Sequence, residues 1–360
     1  MRASFPVPRP RALQALRTDE TCICPNPHEL ESERTLSGKT GMRILVTGGA
    51  GFIGSNFLHY VVPRHPDCTF INVDKLTYAG HRANVEGLGK SENYRFQRLD
   101  LADGEAVRDL VRQYSPEGVI HFAAETHVDR SLDSPAPFIW SNVMGTFNLL
   151  EACRQQWDGS GEERFHHVST DEVYGELGEE GVFTEETAYD PSSPYAASKA
   201  SSDHLVRAYG RSYDLPVTLT NSSNNYGPRQ HPEKLVPLMI LNALEGEKLP
   251  VYGDGRNVRD WLYVEDHCRA VWRVFTDGRD GETYNVGGSC EKSNLDVVGE
   301  ICAVVAEFCD RCPAELRELI EFVPDRPGHD FRYAMDTEKI RAELGWSPAQ
   351  SFSEGLHKTV

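Results

Sequence analysis

No stretch of this chain approaches the ~18 consecutive apolar residues that a membrane-spanning helix requires; the longest candidates are short pieces such as residues 119–124. A helical span is therefore excluded and a soluble chain expected. Lysine is scarce, nine residues against 28 arginines, and the net charge is −18, with residues 42–360 alone carrying −19. Such a surface repels nucleic acid and anionic membranes, so no partner of either kind is expected. Habitat in high salt and genomic base composition explain the scarcity equally well. An even set of cysteines is also missing. Nine of them, with no secretory apolar segment, exclude a complete disulfide framework and point to reduced thiols and a cytoplasmic location. Cys309-Asp310-Arg311-Cys312 has redox or metal spacing, but no second pair or histidine cluster accompanies it, so it reads as structural thiols and no metal is expected. No internal repeat is visible.

What is present supports a full core: 39% of 360 residues are apolar, enough for two domains or one with a smaller cap. Residues 1–41 hold five of the 21 prolines, mixed charge and no sustained period, which reads as a disordered extension or a mis-assigned start. Residues 42–47 then form a candidate buried parallel strand, with a helix over 52–62 behind it. Further strands are expected at 70–74, 94–99, 118–122, 165–169 and 217–220, separated by helices at 104–113, 135–155 and 194–212. Strand alternating with helix implies an α/β fold with a doubly wound parallel Rossmann sheet, because parallel neighbours need crossover connections. After residue 221 the alternation becomes irregular, with helices expected at 233–245, 264–275 and 295–309. The chain therefore divides into a dinucleotide-binding domain at 42–221, carrying the catalytic residues, and a smaller mixed α/β substrate lobe at 222–360; segments of the two can interchange.

The first strand is followed at once by Gly48-Gly49-Ala50-Gly51-Phe52-Ile53-Gly54. Gly48, Gly51 and Gly54 permit a tight turn, approach of backbone to a pyrophosphate and close helix packing, and the helix start offers N–H groups to phosphate. Asp74 ends the second strand twenty residues after Gly54, where a carboxylate holds the ribose hydroxyls and repels a 2′-phosphate, so NAD is expected over NADP. Asp100 and Leu101, after the third strand, are placed to flank adenine.

Ser169-Thr170-Asp171-Glu172-Val173-Tyr174-Gly175 sets a hydroxyl and two carboxylates just after an apolar run, and Tyr195-Ala196-Ala197-Ser198-Lys199 follows about twenty residues later. Lys199 lies one helical turn after Tyr195 and faces the same way, so its cation favours the phenolate. Moving a hydride needs only the Tyr and Lys; an added acid and base are what removal of water requires.

These segments, with Asp74-Lys75-Leu76-Thr77-Tyr78-Ala79-Gly80, residues 123–131, 224–228, 259–266 and 325–330, resemble the nucleotide-sugar 4,6-dehydratases of the extended short-chain dehydrogenase/reductase superfamily over effectively all of residues 42–360. The resemblance is nearest to members acting on a dTDP-hexose. Residues 1–41 have no counterpart in the family pattern, and relatives carry a little more helix beyond residue 360.

The resemblance implies that Tyr195 takes the proton of the sugar 4-hydroxyl as hydride leaves C4 for NAD. Glu172 then removes the C5 proton, Asp171 protonates the departing 6-hydroxyl, Thr170 orients the 4-oxygen, and hydride returns to C6. It adds Lys75, Leu76, Thr77, Ala123, Ala124 and Asn225 to the cofactor site. Thr126 and Asn224 are expected at the sugar or diphosphate, Lys234, Leu235, Pro250, Val251 and Tyr252 at the nucleoside, and Arg259 and Arg326 as diphosphate clamps; Asn294 and His329 are weaker candidates. A homodimer through helices 135–155 and 194–212 is the family expectation. A UDP-sugar 4-epimerase or a UDP-glucuronate decarboxylase needs no acid/base pair at 171 and 172, and a non-catalytic NAD-binding regulator would not keep every acid, base and clamp.

Overall fold

The alternating apolar segments assemble, in a computed structural model that describes residues 41–360, into one seven-stranded sheet with every strand parallel to its neighbours. Its strands are β1 (Arg43–Thr47), β2 (Thr69–Asp74), β3 (Tyr94–Arg98), β4 (Gly118–His121), β5 (Arg164–Thr170), β6 (Val217–Ser222) and, from much later in the chain, β10 (Thr283–Val286), in the order β10-β6-β5-β4-β1-β2-β3. Between β6 and β10 come β7 (Asn224–Tyr226), β8 (Leu249–Tyr252) and β9 (Val258–Tyr263). The expectation for residues 1–41 falls, but for Gly41, outside the described residues.

The central strands are buried because helices cover both faces. On one face α2 (Gly104–Tyr114), α5 (Gly145–Gln156) and α6 (Pro194–Tyr213) bury Val107, Leu149, Leu150 and Val206 against Leu45, Ile71 and Val73. On the other, α1 (Phe52–Arg64) and α8 (Val264–Asp277) set Phe57 against Phe122, 5.1 Å between ring centroids, and Trp272 against Phe70 at 6.3 Å. The second half of the chain thus gives α8 and β10 back to the sheet, so residue 221 does not bound it. Strand β10 is only four residues long and its partner β6 is remote in sequence, which left it without a local signature.

The expected helix 135–155 is broken. After α3 (Val128–Asp133) it runs as α4 (Ala136–Phe138), a π-helical turn at Ile139–Met144, and α5. The wider turn carries buried Asn142 to the sheet edge, where it accepts from Glu125 N at 2.8 Å and donates to Glu125 O at 3.0 Å and Ser198 Oγ at 2.8 Å. Two later helices are shorter than expected: α7 spans Leu235–Glu245 and α9 spans Asn294–Val305. Both pack on a second core with β8, β9, a three-stranded sheet of order β11-β9-β7, where β11 is Glu291–Ser293, and the β8 partner β12 (Ile320–Val323). Among the described residues no helix is long and apolar enough to cross a membrane, and no cluster of metal-ligating side chains occurs.

Candidate active site

The glycine loop is shaped by close approach. Gly48 has φ +72°, and a Cβ there would fall 2.7 Å from Ala123 Cα; a Cβ at Gly54 would fall 2.4 Å from Gly48 O. Gly51 is the N-cap of α1 and brings no side-chain cap, so the N–H groups of its first turn stay available to a phosphate. At the end of β2 the Asp74 carboxylate accepts from Ala50 N at 2.9 Å and Leu76 N at 2.8 Å. Burial pushes its pKa up against those two hydrogen bonds. Each oxygen keeps a lone pair for a ribose hydroxyl. Leu76, left-handed at φ 60°, contributes this N–H and does not line the cavity. Gly48, Gly51, Phe52, Ile53, Gly54, Asp74, Lys75, Thr77, Asp100, Leu101, Ala123, Ala124 and Asn225 all do. A cradle that a Cβ would fill, an uncapped helix start and an oriented carboxylate fit a dinucleotide.

Thr170, Asp171, Glu172, Tyr195 and Lys199 line the same cavity, with Thr126, Asn224 and Lys234. Ligands of open α/β sheets bind at this carboxyl edge. Strand β5 ends at Thr170 in a 3₁₀ turn, Asp171–Tyr174, where Thr170 Oγ1 accepts from Glu172 N at 3.3 Å and lies 3.2 Å from Asp171 Oδ1, to which it donates. Asp171 is 2% exposed and its Oδ2 has no hydrogen-bond partner. Burial and then the Glu172 charge hold its carboxyl well above the usual range, the state of a general acid. Glu172 is also raised by burial, but Arg326, Lys234 and Arg259 oppose the shift. Both neighbours are thereby raised, Asp171 the more strongly.

Helix α6 begins at Ser193, whose Oγ accepts from Ala196 N at 3.1 Å, with Pro194 in the first turn. Tyr195 therefore faces the cavity from the helix start. Burial and Glu172 raise its phenol well above the ordinary value, while a hydrogen bond to Thr170 lowers it. Lys199 donates to Val168 O at 2.8 Å and lies 3.3 Å from His167 Nε2; burial pushes it down to about 8.

The remaining expected substrate residues are placed differently. Tyr252 donates to Asp129 Oδ2 at 3.3 Å and Arg326 pairs with Asp129 Oδ1 at 3.5 Å, while His329 Nδ1 lies 2.6 Å from Asp325. Lys234 Nζ donates to Thr126 O at 3.0 Å. Arg259 is not an open clamp: it is 4% exposed, donates to Val258 O at 2.7 Å and Asp330 O at 2.8 Å, and lies over the Tyr333 ring. Val251 and Leu235 turn into or onto the second core. Asn294 opens α9 with its N–H on Asn257 O, and neither it nor Pro250 lines the cavity. Sequence reasoning passed over Asn142, Asp129, His167 and Asp203. Of these only Asp203 carried a local signal, four residues after Lys199 on the same helical face.

A glycine-looped parallel sheet whose carboxyl edge joins a Tyr/Lys pair to two adjacent carboxyls in one cavity is the make-up of a dinucleotide-dependent enzyme. A family model described as GDP-mannose 4,6 dehydratase matches residues 45–359, and the chain belongs to that family. A dTDP-glucose 4,6-dehydratase of Salmonella typhimurium is 53% identical over 333 residues, covering 89% of this chain and 92% of the relative. The crystal structure of dTDP-glucose 4,6-dehydratase from Bacillus anthracis in complex with NAD superposes with TM-score 0.80 at 46% identity, covering 88% of this chain and 95% of that one. DesIV, a dTDP-glucose 4,6-dehydratase of Streptomyces venezuelae solved with NAD and TYD bound, gives TM-score 0.82 at 44% identity, with the same coverage.

Proposed function

We propose that this chain is an NAD-dependent hydro-lyase that converts dTDP-glucose to the 4-keto-6-deoxy sugar and water. The observation that carries the reading is the adjacent pair Asp171 and Glu172 in one cavity with Tyr195 and Lys199, the first pushed well above the usual carboxylate range by burial and by the second. NAD, which the glycine loop and Asp74 would hold, would supply the hydride acceptor for C4 and the donor for C6. Everything else is work for side chains. Tyr195 accepts the 4-hydroxyl proton, with Thr170 orienting that oxygen and the Lys199 cation opposing the upward push of burial on the phenol. The resulting 4-ketone acidifies C5–H. Glu172 removes that proton, and Asp171 gives its own to the 6-oxygen, so water departs. Lys234 and Arg326, whose charges act on Glu172, place positive charge beside a diphosphate. The buried Arg259 charge acts on both carboxyls and opposes the upward shift of each.

The relatives' names support dTDP-glucose, and an epimerase or decarboxylase would leave Asp171 without a task. The test is a panel of dTDP-, UDP-, CDP- and GDP-hexoses assayed for 4-keto product, with dTDP-glucose expected to turn over fastest; release of a 4-epimer instead would overturn the reading. We further propose a homodimer, supported by exposed Ile139, Trp140 and Phe147 on the segment 139–156 and Tyr213 on α6. A cytoplasmic location is supported by the seven described cysteines, all free thiols.

A further inference from the structure

Behind the catalytic lysine lies a group of ionisable side chains that the reaction leaves unassigned. Tyr195, Lys199 and Asp203 recur at intervals of four along α6 and are 7%, 4% and 0% exposed. A cation so deeply placed is costly unless a negative charge answers it. Its hydrogen-bond acceptor is Val168 O at 2.8 Å, a neutral group, and His167 Nε2 lies 3.3 Å from it. Yet His167 Nε2 is also 3.2 Å from Asp203 Oδ1, so one ring nitrogen faces the ammonium on one side and a carboxylate on the other. Ser169 Oγ and Tyr189 OH each donate to Asp203 Oδ2 at 2.8 Å, which satisfies that oxygen and leaves Oδ1 toward His167. Burial alone would raise Asp203, but the His167 hydrogen bond and the neighbouring positive charges leave it below the usual carboxylate range.

We propose that the Asp203 carboxylate, facing the Lys199 ammonium across the His167 ring, keeps it charged and oriented, so that Asp203 is a positioning residue for the oxidation at Tyr195. This rests on the assignment of Tyr195 and Lys199 as the proton-accepting pair. Every element packed around the ammonium fits it. His121 on β4, 5.2 Å from the His167 ring, is bonded between Thr47 Oγ1 at 2.6 Å and Thr146 Oγ1 at 3.0 Å and is held neutral by burial. Arg207 on α6 donates to Tyr189 OH at 2.7 Å, and its positive charge acts on His167. Asp171 and Glu172 act on Tyr195 from the turn after β5. Through Ser169 the same carboxylate also seats the strand end that carries the acid and base.

The experiment is the pH profile of kcat and KM for dTDP-glucose in wild type and variants. With the Lys199 cation held near pH 8 in wild type, Asp203→Asn is expected to move the alkaline limb of kcat toward acid by about one unit or more and to slow turnover at pH 8 about tenfold, with KM little changed. Asp203→Glu should restore the limb in part. Tyr189→Phe removes a hydrogen bond from the same carboxylate but keeps its charge, and should leave the limb in place. If Asp203→Asn does not fold, Asp203→Ser also removes the charge and should show the same direction of shift. An unmoved limb in whichever variant folds overturns the proposal. Tyr195→Phe separates the two levels: full activity there sinks the parent assignment, whereas an inactive Tyr195→Phe with an unmoved limb in Asp203→Asn sinks this inference alone.

Discussion

The Ala50 N–H donates to the Asp74 carboxylate at 2.9 Å, which ties the glycine loop to the end of the second strand. Cofactor selection and loop shape therefore share one side chain. Asp74→Ala is expected to weaken NAD binding by ~1.5 to 3 kcal/mol, the worth of a hydrogen bond to a charged group. Titration of cofactor-stripped protein with NAD and with NADP checks this. Equal affinity for the two in wild type would remove Asp74 as the discriminating residue.

The order of steps separates the roles of Glu172 and Tyr195. Glu172→Gln should still oxidise C4 and then stall before water leaves, so reduced cofactor accumulates and absorbs near 340 nm. Tyr195→Phe should block the first step and leave the cofactor oxidised. Normal turnover by Glu172→Gln would falsify its assignment as the C5 base.

Heavy water tests the elimination itself. The proton that Glu172 returns to C5 has exchanged with solvent, so the product should carry deuterium at C5, while hydride from C4 reaches C6 undiluted. Mass spectrometry or NMR of the product decides it. Full retention of the substrate's C5 hydrogen is incompatible with the mechanism.

Stability should fall in mild acid. Burial pushes His167 down to about 4 and His267 to about 3, and holds His121 and His166 well below the ordinary value. Between the unfolded histidine value and these folded ones, the unfolded chain binds more protons than the native one. Stability is therefore complete above about pH 6.5 and is lost as pH falls toward about 4, by about 1.4 kcal/mol per unit for each histidine. Denaturant titrations across that window should show the slope, and a flat profile would mean that these rings already carry charge when folded.

Trp140 is 59% exposed in the π-helical turn. If it is covered by a second copy, Trp140→Glu should convert the dimer to monomer in sedimentation while leaving the monomer folded. A clean monomer mass for wild type at micromolar concentration would refute the dimer directly.

Features set by neighbours within one or two turns of chain were legible from the residues. The apolar run of β1, the glycines at 48, 51 and 54, Asp74 at the second strand end, the Thr170-Asp171-Glu172 triple and the four-residue step from Tyr195 to Lys199 each state a local geometry that side-chain chemistry enforces. Folding was needed for what depends on distant partners. Strand β10 joins the sheet only because β6 offers it an open edge. Arg259 looked like a free clamp, yet backbone carbonyls more than 70 residues away claim its guanidinium. The π-turn at Asn142 forms where Glu125 and Ser198 meet its amide from two other segments. Asp203 acquires its link to Lys199 only when β5 lays His167 between them, because the electrostatics of a buried charge depend on which strand and helix exclude water around it.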